Sequence, residues 1–192
     1  MAQQSNRIDE VIVTTISTTG EVHAAPMGII RQQQVLIQPF QSSTTYHHLK
    51  QSQYCIVNMV DDVRIFAGAL TNRRDWPTVN SQSGKAAYLR DAVAHIELKR
   101  VDFVDQQPRA KWLGDVVDEQ HHRAFQGFNR AQAAVIEGAI LVSRLSMLPR
   151  EKLQQELSYL QIAIDKTAGE KEREAWQWLM EKVATVMPDN NG

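Results

Sequence analysis

The spacing of apolar residues changes once along this chain. Up to about residue 120 they fall in short runs rich in Val, Ile and Thr, punctuated by Gly, Pro and polar turns; beyond Phe125 they recur every third or fourth position. The first rhythm is that of strands and the second that of helices. A chain of 192 residues suffices for one ordinary domain or for a core domain with an appendage. The expected class is therefore mainly β with α: a β unit, barrel or sandwich, over residues 8–124, then a helical subdomain over residues 125–188.

Residues 1–7 read as a polar tail. Glu10 to Ser17 and Val22 to Ile30 form a hairpin about Thr18-Thr19-Gly20-Glu21, where Gly20 can take positive φ. The second strand carries Ala24-Ala25-Pro26-Met27-Gly28. Proline cannot donate to a ladder, so an edge or bulged position is expected. The small neighbours leave room for a flat ligand against the main chain; a bulge at a barrel corner would use the same residues. Val35 to Phe40 is a third strand, Thr44 to Ser52 a short helix and Tyr54 to Met59 a fourth strand. Asp61-Asp62 precede a helical turn through Val63, Phe66 and Leu70. Residues 71–91 are weakly patterned, with a turn of helix near Ala86 to Leu89. Ala92 to Val104 is a long strand with a bulge and His95 out of phase, and Lys111 to Val117 a further strand. About six strands and two short helices make a small barrel or sandwich.

The helical part opens with Phe125 to Leu145, whose apolar set is Phe128, Ala131, Val135, Ile136, Ala139, Ile140 and Val142. Pro149 suits the start of the next helix, striped by Leu153, Leu157, Leu160 and Ile164. Gly169 breaks it. A third helix, Glu170 to Met187, places Ala175, Leu179, Val183 and Val186 on one face; Trp176 and Trp178 cannot both share that face. The expectation is a three-helix appendage whose last 45 residues extend a dimer contact.

Several functions are disfavoured. Lys+Arg number 21 and Asp+Glu 22, a net charge of −1, which offers no footprint for nucleic acid. Apolar runs are too short to span a membrane, and the N-terminus lacks the apolar stretch of a signal peptide. The single cysteine, Cys55, sits in an apolar run and reads as a buried thiol. A cytoplasmic protein is expected. Asp118, His121 and His122 would cluster on a helix, but adjacent histidines diverge there by about 100°, and no third ligand stands out, so no metal is expected. A G-x-S-x-G elbow, a Rossmann fingerprint and a P-loop are absent.

One cluster points to chemistry. Ser42-Ser43-Thr44-Thr45 opens the first helix. The first N–H groups of a helix lack intrahelical partners and carry partial positive charge, and hydroxyls add donors, so the cluster suits a phosphate. N-capping is the alternative use of the same residues.

Taken together, these stretches resemble the FMN-binding split-barrel proteins, which include flavin reductases and pyridoxamine-phosphate oxidases, and within them an uncharacterised family. The resemblance rests on Thr14-Thr15 through Ala24-Ala25-Pro26-Met27-Gly28, on Thr45-Tyr46 through Leu49, and on Phe128-Asn129-Arg130-Ala131 through Leu145. It implies a split β-barrel, a homodimer, and FMN at the subunit interface. It implies that Ser42, Ser43, Thr44 and Thr45 hold the phosphate, with Tyr46 and His47 beside them. Ala25, Pro26, Met27 and Gly28 would border the isoalloxazine and ribityl chain, and Asn58, Asn129 and Arg130 would reach the cofactor. Many such proteins follow the hydroxyl cluster with Arg or Lys; here His47-His48 follow, so His47, Lys50 or Arg130 would meet the phosphate charge. Asn129 and Arg130 serve equally well as a helix cap and a dimer salt bridge. The implied activity is that of a flavin-dependent oxidoreductase using NAD(P)H or another donor, with a link to pterin-dependent one-carbon metabolism. His23 and His48 are the nearest acid–base candidates. The alternative is a module that binds flavin, deazaflavin or haem without turnover.

Overall fold

The structure, a computed structural model, describes residues 7–187. The expected polar tail therefore lies outside the described residues except for Arg7, as does residue 188 at the far end of the expected helical subdomain. Within the described residues the chain forms two compact units, one of 7–60 and 76–125 and the other of 61–75 and 126–187.

The first unit is a barrel. β1 (Asp9–Ile16), β2 (Val22–Arg31), β3 (Val35–Ile37), β4 (Tyr54–Met59), β7 (Ala94–Val104) and β8 (Lys111–His121) close in the order β1-β2-β3-β8-β7-β4, with every pairing antiparallel. β5 (Thr78–Asn80) and β6 (Ala87–Leu89) form a separate two-stranded sheet, and α1 (Thr44–Gln51) links β3 to β4. β-branched residues supply the inward positions. Val11, Val13, Ile29, Val35, Ile37, Cys55, Val57, Ile96, Leu98 and Trp112 make the core, and α1 adds Leu49. Cys55 is fully buried, and burial pushes its thiol well above the usual range, so it is an inert packing group.

The outward positions of β1, β4 and β7 are also buried, and several are polar. Directly opposed residues share a face. Ile12 faces Asn58, Asn58 faces His95, and Thr14 faces Ile56, which faces Glu97. β6 lies over this layer: Thr14 Oγ1 donates to the Ala87 carbonyl at 2.6 Å, and the Leu89 N–H donates to Asn58 Oδ1 at 2.8 Å. This corrects the expected turn of helix at Ala86 to Leu89. The segment is a strand because its partner Thr78–Asn80 and the polar layer beneath it take up its backbone groups. Among the described residues there are thus eight strands, six of them in the barrel, rather than six in all.

Other expectations hold with shifted ends. The register of β7 against β8 slips twice, at Glu97/Leu98 and Arg100/Asp102, which supplies the expected bulge. β8 runs four residues beyond the expected Val117, so Asp118 and His121 lie on a strand and not on a helix. β3 stops at Ile37, and Phe40 only bridges to Arg109.

The second unit holds α2 (Arg64–Leu70), α3 (Arg130–Val142), α4 (Arg150–Thr167) and α5 (Glu170–Val186). Four helices pack where three were expected, because the segment after β4 joins them: α2 lies against α3 and α5. Asp62 Oδ1 accepts the Arg64 N–H at 3.2 Å, although the capping position itself is Val63. Asp62 also receives Arg64 Nη2 at 2.7 Å and Lys171 Nζ at 3.1 Å, while Arg64 Nη1 reaches Glu174 at 2.9 Å. α3 starts at Arg130, five residues later than expected, and Phe128 is 99% exposed instead of buried. Asn129 sets that start, since its Oδ1 caps the N–H groups of Ala131 and Gln132. Leu153, Leu157 and Ile164 are buried along α4, with Leu160 only half-buried. On α5, Ala175, Trp176 and Leu179 are buried and Val186 is exposed. The two tryptophans do divide: Trp176 Nε1 donates to Gln161 at 2.6 Å, while Trp178 carries the Arg73 guanidinium over its ring.

Candidate functional site

The start of α1 is built for an anion. Ser43 is the cap: its Oγ accepts from the Tyr46 N–H at 3.1 Å and donates to the Phe40 carbonyl at 2.7 Å. The His47 N–H reaches the Ser43 carbonyl. The N–H groups of Thr44 and Thr45 precede the first intrahelical bond, and the first turn carries no acidic side chain. Ser42 and Thr44 are exposed, whereas Thr45 and Tyr46 are buried. The donor set, two first-turn amides with exposed hydroxyls and no competing carboxylate, fits a phosphate.

Tyr46 anchors this turn. Its hydroxyl donates to Asp105 at 2.9 Å, Lys50 Nζ reaches the same carboxylate at 2.9 Å, and Gln41 Nε2 donates to it at 2.6 Å. The hydrogen bonds from Lys50 and then Tyr46 hold the Asp105 carboxyl below its usual range, and Asp105 raises Lys50 in turn. Lys50 is therefore committed to Asp105, which removes it as the expected counter-charge for a phosphate. His48 is likewise engaged. Its Nδ1 lies 3.0 Å from Thr15 Oγ1, its ring stands edge-on to His23, and burial lowers its affinity for a proton. His47 stays exposed on α1, edge-on to Tyr46. Asp105 left no mark in the sequence, since a lone acid in the turn after β7 looks like any loop residue.

β2 lies against α1, and its alternation sorts the expected flavin neighbours. Ala25 faces Val13 and Met27 faces Val11, both core residues, so these side chains point into the barrel. Pro26 and Ala24 face Ile12 and Thr14 on the outside, where they remain half-buried. The β1 register runs unbroken through Pro26, so there is no bulge. β3 pairs only with Ile29 to Arg31, so Pro26 sits on an open edge where a missing donor costs nothing. Gly28 does not open a slot: a Cβ there would meet Ile8 Cγ2 at 2.6 Å, so its missing side chain admits Ile8.

Two residues expected to reach the cofactor are engaged within the protein. Asn58 is fully buried and uses its whole amide inside the protein, donating to the Ile12 carbonyl at 3.0 Å and Thr14 Oγ1 at 3.1 Å and accepting from Leu89. Asn129 caps α3 and donates Nδ2 to the Thr167 carbonyl at 3.1 Å. Arg130, exposed at the start of α3, belongs to the helical unit.

A second polar cluster brings together residues that are far apart in the sequence. His95 and His122 lie nearly coplanar, with Nδ1 of the first 2.8 Å from Nε2 of the second, and Tyr88 stacks on both. Asp118 Oδ2 is buried without a hydrogen-bond partner, 3.9 Å from His95 Nε2. His95, out of phase with the apolar positions of its strand, was its signal, but Asp118 and His122 looked helical.

The fold is that of the flavin-binding split barrels. It superposes on the FMN-bound protein MM1853 of Methanosarcina mazei with a TM-score of 0.79 at 18% identity, over 93% of this chain and 96% of that one. Flavin reductase HpaC complexed with NADP+ matches at 0.54 and 23% identity, over 64% of this chain and 82% of the other. Flavoredoxin from Methanosarcina acetivorans matches at 0.54 and 10% identity, over 66% and 79%.

The chain belongs to the DUF447 family. Residues 9–123 match its N-terminal domain and residues 129–181 its remaining part, both described as protein of unknown function. The uncharacterised protein MJ1453 of Methanocaldococcus jannaschii is 29% identical over 146 residues, 72% of this chain and 75% of that protein. No helix among the described residues is long and apolar enough to cross a membrane, and none of their His, Cys, Asp and Glu residues form a group of three or more suited to a metal ion.

Proposed function

We propose that this chain binds FMN, with the phosphate at the start of α1 and the ring system along the outer, small-residue edge of β2, and that it acts as a homodimeric flavin-dependent oxidoreductase. The observation that carries the reading is the likeness, over nearly the whole of both chains, to an FMN-bound protein of this fold. The chemistry at α1 supports it independently. Thr44 and Thr45 offer amides, Ser42 and Thr44 offer hydroxyls, and the His47 imidazole lies exposed on the same helix. Pro26 and Ala24 leave only small side chains on the outside of β2.

In this reading the flavin, when bound, supplies the hydride or electron transfer. The protein holds the phosphate with neutral donors and helix charge, presents a flat edge without bulky side chains, and keeps Lys50 and Asp105 paired so that the carboxylate does not repel the anion. NAD(P)H or another donor, a second subunit walling the cofactor, and a role beside pterin-dependent one-carbon chemistry belong to the same proposal.

The test is optical. Freshly purified protein, or protein mixed with FMN and passed through a desalting column, is expected to show flavin bands that bleach with NADH or NADPH. A stable yellow protein that ignores both points to a binding module or another donor, and a colourless protein that takes up no FMN overturns the reading. Thr44→Asp sharpens the test. An acid in the first turn favours the helix by about 0.3–1 kcal/mol yet repels a phosphate, so the variant should fold normally and bind FMN about tenfold more weakly. Unchanged affinity would place the phosphate elsewhere.

A further inference from the structure

We propose that Asp118, His95 and His122 form a proton-transfer site under the β5–β6 sheet, with His122 Nδ1 as its acid–base atom and Asp118 and His95 as positioning residues. The ligand it would serve is a small molecule that exchanges a proton at an N–H or O–H.

The argument starts from the contact between the two rings. With one proton between His95 Nδ1 and His122 Nε2, two arrangements exist. If His95 donates, its Nε2 is bare and faces the Asp118 carboxylate, lone pair against negative charge. If His122 donates, His95 carries its proton on Nε2, aimed at Asp118 Oδ2. That oxygen is buried with no other partner, so the second arrangement is favoured. The carboxylate stands 3.9 Å away, beyond a hydrogen bond, and acts through its field. A half-buried carboxylate whose one buried oxygen fixes the tautomer of one imidazole, which then fixes its neighbour, follows the logic of a catalytic triad.

The consequence falls on His122. Its Nε2–H is engaged, so its Nδ1 carries the free lone pair, and the residue is exposed while His95 is 2% exposed. A proton added at Nδ1 leaves the inter-ring bond intact, and the imidazolium ring it makes is stacked on Tyr88 with centroids 5.0 Å apart. A second proton, on His95 Nδ1, would set N–H against N–H. The site therefore takes one proton and resists two. Burial and then His122 depress the proton affinity of His95, against the opposing pull of Asp118 and Glu97. Those two carboxylates, His122 and Tyr88 are the titratable groups that face it; Asn58, its partner on β4, is uncharged. Glu97 lies directly opposite Asp118 and is itself bonded by Ser83 at 2.5 Å. The geometry uses the barrel unit alone and stands whether or not the chain takes up FMN.

Nitrogen-15 NMR of the imidazoles in the full-length protein reads the tautomers directly. The expected result is His95 as a neutral Nε2–H ring throughout the pH range in which His122 gains its proton at Nδ1. His95 found as the Nδ1–H form, or both rings gaining protons together, would overturn the proposal without any variant. Asp118→Asn keeps the shape but removes the charge. It should let the opposite tautomer appear and slow acylation of His122 by diethylpyrocarbonate severalfold, read by peptide mass, while Glu119→Gln leaves both unchanged. An acylation rate at His122 that is equal in all three proteins would also sink it.

Discussion

Single residues carry more of this fold than their size suggests. Asn58 holds β1, β4 and β6 together through one amide. Replacing Asn58 with Ala leaves the Leu89 N–H, the Ile12 carbonyl and Thr14 Oγ1 short of partners, and is expected to destabilise by about 2–4 kcal/mol in urea denaturation. Two glycines make a contrasting pair. In α3, a Cβ at Gly138 would stand 2.7 Å from Trp176 Cζ3, with the indole held by Gln161. Gly138→Ala gains up to about 1 kcal/mol of helix propensity and loses about 1–3 to overpacking, so the expected net is a loss. Gly28→Ala meets Ile8, a side chain 59% exposed and free to swing, and should cost under about 1 kcal/mol. Equal losses at both positions would count against this reading.

At the scale of elements, α2 depends on charge as much as on packing. Asp62 is nearly buried. Burial alone would raise its carboxyl, but the hydrogen bonds from Arg64 and Lys171 outweigh that and hold it below the usual range. A carboxyl depressed in the folded state contributes stability that is complete above its unfolded value, about pH 4, and is lost as pH falls through the lower folded value. Asp62→Asn should thus lower stability at neutral pH by about 1–3 kcal/mol and flatten the loss of stability below about pH 4, measured by denaturant titration at both ends. The same scale shows what was legible in the sequence. β1, β2, β4 and β7 were readable because β-branched runs and turn residues agree with where the strands lie. β5 and β6 were not, because three-residue strands carry too little pattern and their stability comes from Asn58 and Thr14 beneath them. The start of α1 was legible through Ser43, since a cap is a local device. Asp105, and the sorting of Ala25 and Met27 inward from Pro26 outward, depend on register, which a lone segment does not reveal.

For the whole molecule, the family match and the fold agree with the resemblance drawn from Thr14 to Leu145, and the coarse plan of barrel followed by helices was visible in the change of period. The place of α2 was not, since its partners on α3 and α5 lie some sixty to a hundred and twenty residues further on. Truncation after Leu145 removes α4 and α5 and uncovers Gly138 and its neighbours on α3. If the last helices extend a dimer contact, as the sequence led us to expect, the shortened chain will be monomeric or insoluble in sedimentation; a soluble dimer would refute that role.

The insertion of 61–75 into the barrel sequence has a further consequence for how the protein is made. On the ribosome, α2 emerges with Ile65 and Phe66 exposed long before the helices that bury them have been translated. It must wait while the barrel strands on either side of it find one another. Neither half can be cloned by a single cut, and the helical unit forms only once α5 has been translated.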